Sequence, residues 1–215
     1  MSFEAACGHE LVCGIDEVGR GPWAGPVVAA AVILDGARLP AALAAVIDDS
    51  KVVARPLRAR IAGELPQFAQ IGLGMADVDE IERLNIYWAS MLAMQRAVAA
   101  LPTPPAAALV DGKGAPPLPC PVRCIVGGDG LSLSIAAASI VAKVARDRMM
   151  AEMAERFPEY GFERHMGYGT REHRAALLRC GPTAHHRMGF PSVRALLAQL
   201  SLPLMIETQP ADAAH

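Results

Sequence analysis

No stretch of this 215-residue chain stays apolar for long: its longest runs, such as VVAAAVIL from Val27 to Leu34, fall far short of the roughly 20 residues a membrane span requires. No bilayer-crossing helix is expected. The opening MSFEAACGHE carries acids and lacks the basic region and apolar segment of a secretory signal, so the expected compartment is the cytoplasm. Cysteine occurs five times, at positions 7, 13, 120, 124 and 180, without one CxxC pair. An odd number with no pairing pattern argues against a disulfide framework and for reduced thiols. Cys120 and Cys124 also read as half a zinc site, but no second ligand pair follows at a usual spacing, which favours buried structural thiols. Lysine is scarce, with only Lys51, Lys113 and Lys143, and no internal repeat is visible.

What is present is 53% hydrophobic and 20% charged, a composition that argues against disorder and for one sizeable core. A single domain is expected over 1–202, with 203–215 a flexible tail. The formal net charge of -2 hides an uneven distribution. Between Arg164 and Arg194 stand six arginines and one acid, Glu172, with four of the six histidines. That run reads as a basic nucleic-acid-facing surface or as a solvated arginine-rich face.

Periodicity and breakers give the coarse order. Residues 11–16 and 26–34 read as strands joined by a glycine-rich turn, and QIGLGMA from Gln70 as a third. A long helix follows over 77–101, closed by PTPP. AAALVD is a buried strand ending at Asp111, VRCIVGGD a further strand ending at Asp129, and 132–157 a second long helix. Shorter helices are expected at 55–63, 171–179 and 191–200. Strands separated by helices imply an α/β sheet with parallel neighbours, which the early hairpin makes mixed.

Within that order, GIDEVGRGPWAG at 14–25 sets Asp16 and Glu17 directly before the glycines. Its spacing is GxGxxxG and β-rich sequence follows, so it is not the GxGxxG that opens a dinucleotide-binding helix, nor does a P-loop GK[ST] follow. Two carboxylates beside a phosphate repel it unless divalent cations lie between, which makes the acids candidate metal ligands. Adjacent strand residues face opposite ways, so Asp16 and Glu17 share a site only if the strand ends or bulges there. Asp111 and Asp129 stand at predicted strand ends, the edge where open α/β sheets bind ligands. Four acids from three strand ends suit phosphoryl transfer with two hard cations. Singly, each is also an ordinary turn former or helix cap: Asp111 precedes Gly112, and Asp129 precedes Gly130.

From Val12 to Pro191 the chain resembles the ribonuclease HII family, the type 2 ribonucleases H of bacteria. The resemblance rests on GIDEVGRGPWAGPVVAAAVIL, DSK at 49–51, NIYWASMLAMQRAV at 85–98, LVDG at 109–112, GD at 128–129, IAAASIVAKVARDRMM at 135–150, HMGYGT at 165–170 and HHRMGF at 185–190. It implies an RNase H-like mixed five-stranded sheet flanked by helices, with a C-terminal helical extension. The implied activity is endonucleolytic cleavage of RNA in RNA-DNA hybrids, and of DNA containing ribonucleotides on the 5′ side of the ribonucleotide, by a monomer using Mn2+ or Mg2+. Asp16, Glu17, Asp111 and Asp129 match the family's metal-binding acids. Gly19, Arg20 and Gly21 match the segment that lies against the 2′-hydroxyl, a task suited to a backbone that lacks Cβ. Tyr168 matches the residue that packs on the following deoxyribose, although a core aromatic is the bland alternative. Lys51, Ser139 and Lys143 match substrate contacts. Ser139, Lys143 and Arg146 share one helix face, and a Lys143 to Asp147 surface pair is the structural alternative. Gly127, Met166 and Val52 depart from the pattern, each standing where a lysine is usual. Two rivals remain: another divalent-metal nuclease of the same fold, and a hybrid-binding module without activity.

Overall fold

The structure, a computed structural model, describes residues 2–200, and the tail expected at 203–215 lies outside them. Its architecture follows from a strand too apolar to face water on either side. Along β2 (Val27–Leu34), Val27, Ala29, Ala31 and Ile33 enter one core, while Ala30 and Val32 enter another on the opposite face. The strand therefore needs a helical layer over each face.

β2 pairs antiparallel with β1 (Val12–Val18) and with β3 (Ala69–Ala76). On its other edge β1 runs parallel to β4 (Ala107–Asp111), and β4 parallel to β5 (Val122–Ile125). The order β3-β2-β1-β4-β5 is the mixed five-stranded α/β sheet that a hairpin followed by strand-helix alternation implies.

Short helices α1 (Ser2–Ala6) and α2 (Ala41–Ala44) flank the hairpin, and α3 (Arg55–Glu64) leads to β3. The helix α4 (Val78–Ala99) covers one face, and α5 (Leu133–Arg156) covers the other. Asp77 and Glu80 close a reciprocal capping box at the start of α4. The single helix expected at 77–101 is in fact interrupted at Asn85, whose φ of 66° is left-handed. The Asn85 side chain then accepts the Tyr87 N–H at 2.9 Å, restarting the helix. Local side-chain capping here overrides a periodicity that runs unbroken through the residue. Among the described residues no helix is long and apolar enough to cross a membrane.

The alanines Ala136, Ala137 and Ala138 let α5 settle on β1 and β2, which brings Ser139 and Lys143 beside the hairpin. Beyond it, α6 (Phe162–His165), α7 (Arg171–Cys180) and α8 (Pro191–Leu200) pack on the end of α5 around Met150, Tyr160, Phe162 and Leu177. This helical part is stitched to the glycine loop of the hairpin: Trp23 N–H donates to Gly167 O at 2.8 Å, Gly25 N–H to His185 O at 2.9 Å, and Arg187 N–H to Trp23 O at 2.7 Å. The five cysteines are free thiols.

Candidate functional site

The parallel pairing of β1 with β4 ends at Ile15 opposite Val110, whereas the antiparallel pairing of β1 with β2 continues to Val18. Asp16 and Glu17 therefore lie where one neighbour has already stopped. The strand neither ends nor bulges at the two acids, contrary to the expectation above. The pleat sends them to opposite faces, but the open sheet edge lets both reach one cleft of about 500 Å3. Asp111, the last residue of β4, lines the same cleft, together with Lys51, Lys143 and Tyr168.

Asp129 is not at a strand end. β5 stops at Ile125, and Asp129 sits in a 3-10 turn, Gly128–Gly130, entered through Gly127 at a left-handed φ of 67°. The turn is tied to the other acids: Gly128 N–H donates to Asp111 Oδ1 at 2.7 Å, and Lys51 Nζ donates to Asp129 Oδ2 at 3.0 Å. The Asp129 carboxylate raises the Lys51 pKa, chiefly through that hydrogen bond.

Charge is concentrated here at a cost. Burial pushes the Asp16 carboxyl well above the ordinary range, and the neighbouring Glu17 charge pushes it further; the Ser139 hydroxyl works against both. Glu17 is raised too, by burial, with Arg20 opposing through a 3.0 Å hydrogen bond to Oε1. Glu17 Oε2 is buried and has no hydrogen-bond partner among the described residues. Among those residues no three His, Cys, Asp or Glu side chains stand close enough to form a finished metal cage. Arg20 and Lys51 occupy Glu17 and Asp129 instead.

Tyr168 is 45% exposed, so it is not a core aromatic. Its ring faces the glycine loop: a Cβ built on Gly21 would lie 3.6 Å from Tyr168 Cε1. Its backbone carbonyl meets His173 Nδ1 at 3.0 Å. Gly19 has a φ of +92° and packs so closely on Arg146 that a Cβ would stand 2.2 Å from its Nε.

Several of the expected substrate-facing groups already have partners within the protein. Ser139 and Ser50 both line the cleft, and the largely buried Ser139 hydroxyl donates to Ser50 Oγ at 2.8 Å. Lys143 lines the cleft but is held by Asp147 at 2.5 Å, the pair read above as the structural alternative. Arg146 is fully buried. The 164–194 run is not one basic surface: Arg187 is also fully buried, Arg164 is paired with Glu163 and Glu172, and His165, His173 and His186 are interior. Met166 packs in the helical core, while Val52 stays 70% exposed beside Lys51.

Sequence reasoning passed over Ser50, Arg58 and Arg187. Ser50 stood inside the DSK motif, and Arg58 holds that motif's turn by donating to Ser50 O and Val53 O, each at 2.6 Å. Arg187 stood inside HHRMGF, where its surroundings of arginine and histidine made it look like surface charge.

Comparison with known proteins places the chain in a family. The ribonuclease HII family model matches residues 13–193. The chain is 61% identical over 183 residues to a ribonuclease HII of Paramagnetospirillum magneticum, covering 85% of this chain and 91% of that one. In fold it is similar to the ribonuclease H2 from Pyrococcus horikoshii OT3, with a TM-score of 0.74 at 22% identity over 88% of this chain and 98% of that one. It is also similar to Bst-RNase HIII in complex with Mn2+, with a TM-score of 0.71 at 22% identity over 89% and 70% of the two chains.

Proposed function

The chain belongs to the ribonuclease HII family and is a ribonuclease H, an endonuclease acting on RNA-DNA hybrids; on that premise we propose that Asp16, Glu17, Asp111 and Asp129 hold divalent cations at the scissile phosphodiester while Gly19, Arg20, Gly21 and Tyr168 inspect the adjoining ribose. The observation that carries this reading is the apposition of Gly21 and Tyr168 on a cleft lined by three of the acids. Another nuclease of the same fold would need the acids, but not a backbone without Cβ facing an exposed tyrosine ring.

The donor set fits Mg2+ or Mn2+. It is all oxygen, as hard cations require, and it includes the buried, unpartnered Glu17 Oε2 and an Asp16 whose charge the protein alone disfavours. Such cations, when bound, supply stabilisation of developing charge on the phosphoryl oxygens and a bound water of lowered pKa. With cations on these acids, Arg20 and Lys51 would be released from Glu17 and Asp129 and could meet substrate phosphates. The ribose 2′-hydroxyl is a recognition element in this reading. Water attacks phosphorus, the bond to the preceding 3′-oxygen breaks, and the strand is left with a 3′-hydroxyl and a 5′-phosphate.

Lys143 contributes by exchanging Asp147 for a phosphate. Removing it with Lys143→Ala is expected to reduce the slope of log affinity against log salt by about 0.9, the value for one phosphate contact. Asp147→Asn, which frees the lysine, is expected to tighten binding. An unchanged slope in Lys143→Ala would remove the lysine from the interface.

The reading as a whole is tested by incubating the protein and Mg2+ with three duplexes: all DNA, RNA paired with DNA, and DNA with one embedded ribonucleotide. Cleavage of the second and third, with the first intact, is expected. Cleavage of the all-DNA duplex points to the rival nuclease, and binding without cleavage of any duplex points to a hybrid-binding module.

A further inference from the structure

Burying a cation without a carboxylate is among the least favourable things a fold can do. Among the described residues this happens twice: Arg146 and Arg187 are 0% exposed, and neither forms a salt bridge there. Both are satisfied by backbone carbonyls, nearly all from one segment. Arg187 Nη2 donates to Gly19 O at 2.5 Å and to Gly25 O at 2.7 Å, Nε to Gly25 O at 3.0 Å, and Nη1 to Arg20 O at 2.8 Å. Arg146 donates to Ala24 O, Pro26 O and Met166 O at 3.0–3.1 Å, so the second guanidinium joins the glycine loop to the turn that precedes Tyr168. Burial lowers the two pKa values, to about 9 for Arg187 and about 10 for Arg146, and both groups stay charged at neutral pH.

The consequence lies on the far side of the loop. All peptide bonds described are trans, and in a trans peptide the N–H points opposite to the C=O. Drawing the carbonyls of Gly19 and Arg20 inward onto Arg187 turns the N–H groups of Arg20 and Gly21 outward, on two exposed residues. Among the described residues neither N–H has an acceptor. Two successive outward N–H groups form a concavity that receives a negatively polarised oxygen, and the guanidinium behind them adds positive potential. Only arginine can do this from one centre, because its planar fork of five donors spans three carbonyls and a lysine ammonium does not. The Phe190 ring, 5.2 Å from the Arg187 guanidinium carbon, backs the group.

We propose that Arg187 is a positioning residue for this reaction: from behind the glycine loop it aims the N–H groups of Arg20 and Gly21 at a substrate oxygen beside Tyr168. The proposal rests on the reading that this loop meets the ribose. It gives the HHRMGF segment a role in ribonucleotide selectivity without any contact between its arginine and the substrate.

The test is the affinity of Arg187→Met for a duplex with one ribonucleotide and for its all-DNA counterpart, in Ca2+ so that binding is read apart from turnover. The preference for the ribonucleotide is expected to fall about tenfold, the size of one or two lost hydrogen bonds, while all-DNA affinity moves less than about twofold. Arg187→Ala is expected to regain preference when millimolar guanidinium is added, a recovery that a general structural role would not give. An Arg187→Met protein that keeps its preference, or loses affinity for both duplexes equally, overturns the proposal. If Arg187→Met does not fold, Arg187→Lys decides: a folded protein with lost preference supports the proposal, and undiminished preference overturns it. Failure of both to fold makes Arg187 a support of the whole domain and also overturns it. A parent protein without any preference would instead overturn the ribose reading itself.

Discussion

Asp16→Asn is expected to cut turnover by on the order of a thousandfold, the scale of losing one essential electrostatic group, and to melt at a higher temperature than the parent in metal-free buffer near pH 7.5. The second effect follows from the sign of the Asp16 shift. Its folded-state pKa is raised by burial and by Glu17, so its favourable contribution is complete only below the unfolded value of about 3.9 and is lost as pH rises through the folded value. At neutral pH the ionised carboxylate strains the fold, and a neutral isostere does not. The melting difference should therefore shrink toward zero on acidification below about pH 4. Adding Mg2+ or Mn2+ should stabilise the parent more than the variant, since binding to the folded state alone raises stability by mass action. Asp111→Asn should lose turnover as well, and its retained Oδ1 can still accept the Gly128 N–H. Parent-like turnover in either variant would remove that acid from the site.

The second large effect separates two glycines that look alike in the motif. Gly19 has a left-handed φ of +92°, and a Cβ there would meet Arg146 Nε at 2.2 Å and Pro26 O at 2.8 Å. Gly19→Ala is expected to destabilise the protein by about 1–3 kcal/mol, the cost of a non-glycine residue in such backbone, and to abolish cleavage with it. Gly21 is not in that region, and its Cβ would make only ordinary contact with the Tyr168 ring at 3.6 Å. Gly21→Val should therefore melt within about 2 °C of the parent, since surface substitutions are usually within ±0.5 kcal/mol. Its added methyls nonetheless fill the space between the loop and Tyr168. Cleavage at a single ribonucleotide should fall on the order of a hundredfold, the size of effect that misplacing a substrate costs. If Gly21→Val cuts that substrate at the parent rate, the ribose does not approach there.

These contrasts also mark what was legible without coordinates. The five strands were, because apolar runs between turn-forming residues mark each of them, and so was Asp111 at the end of β4; Asp16 and Glu17 were expected where β1 ends or bulges, and it does neither there. Asp129 was misplaced because Val126 prolongs the apolar run past the end of β5 and the glycine pair was counted into the strand, where the left-handed backbone of Gly127 in fact begins a turn. The conversion of Arg146 and Arg187 from surface charge to interior scaffold was invisible, because nothing in a charge count says that backbone carbonyls will satisfy a guanidinium. Lys143 was legible as part of a face with Ser139 and as one half of an i,i+4 pair with Asp147, but the burial of Ser139 depends on how α5 rests on the hairpin.

The central claim is that the acids cut where the glycine loop reads a ribose. Its most direct test is the mass of the products from a DNA duplex with one embedded ribonucleotide, after incubation with the protein and Mg2+. One cut is expected, on the 5′ side of the ribonucleotide, giving an upstream fragment with a 3′-hydroxyl and a downstream fragment that begins with a 5′-phosphate on the ribonucleotide. A 2′,3′-cyclic phosphate, which would make the 2′-hydroxyl the nucleophile, or a cut at any position of the all-DNA control would contradict it.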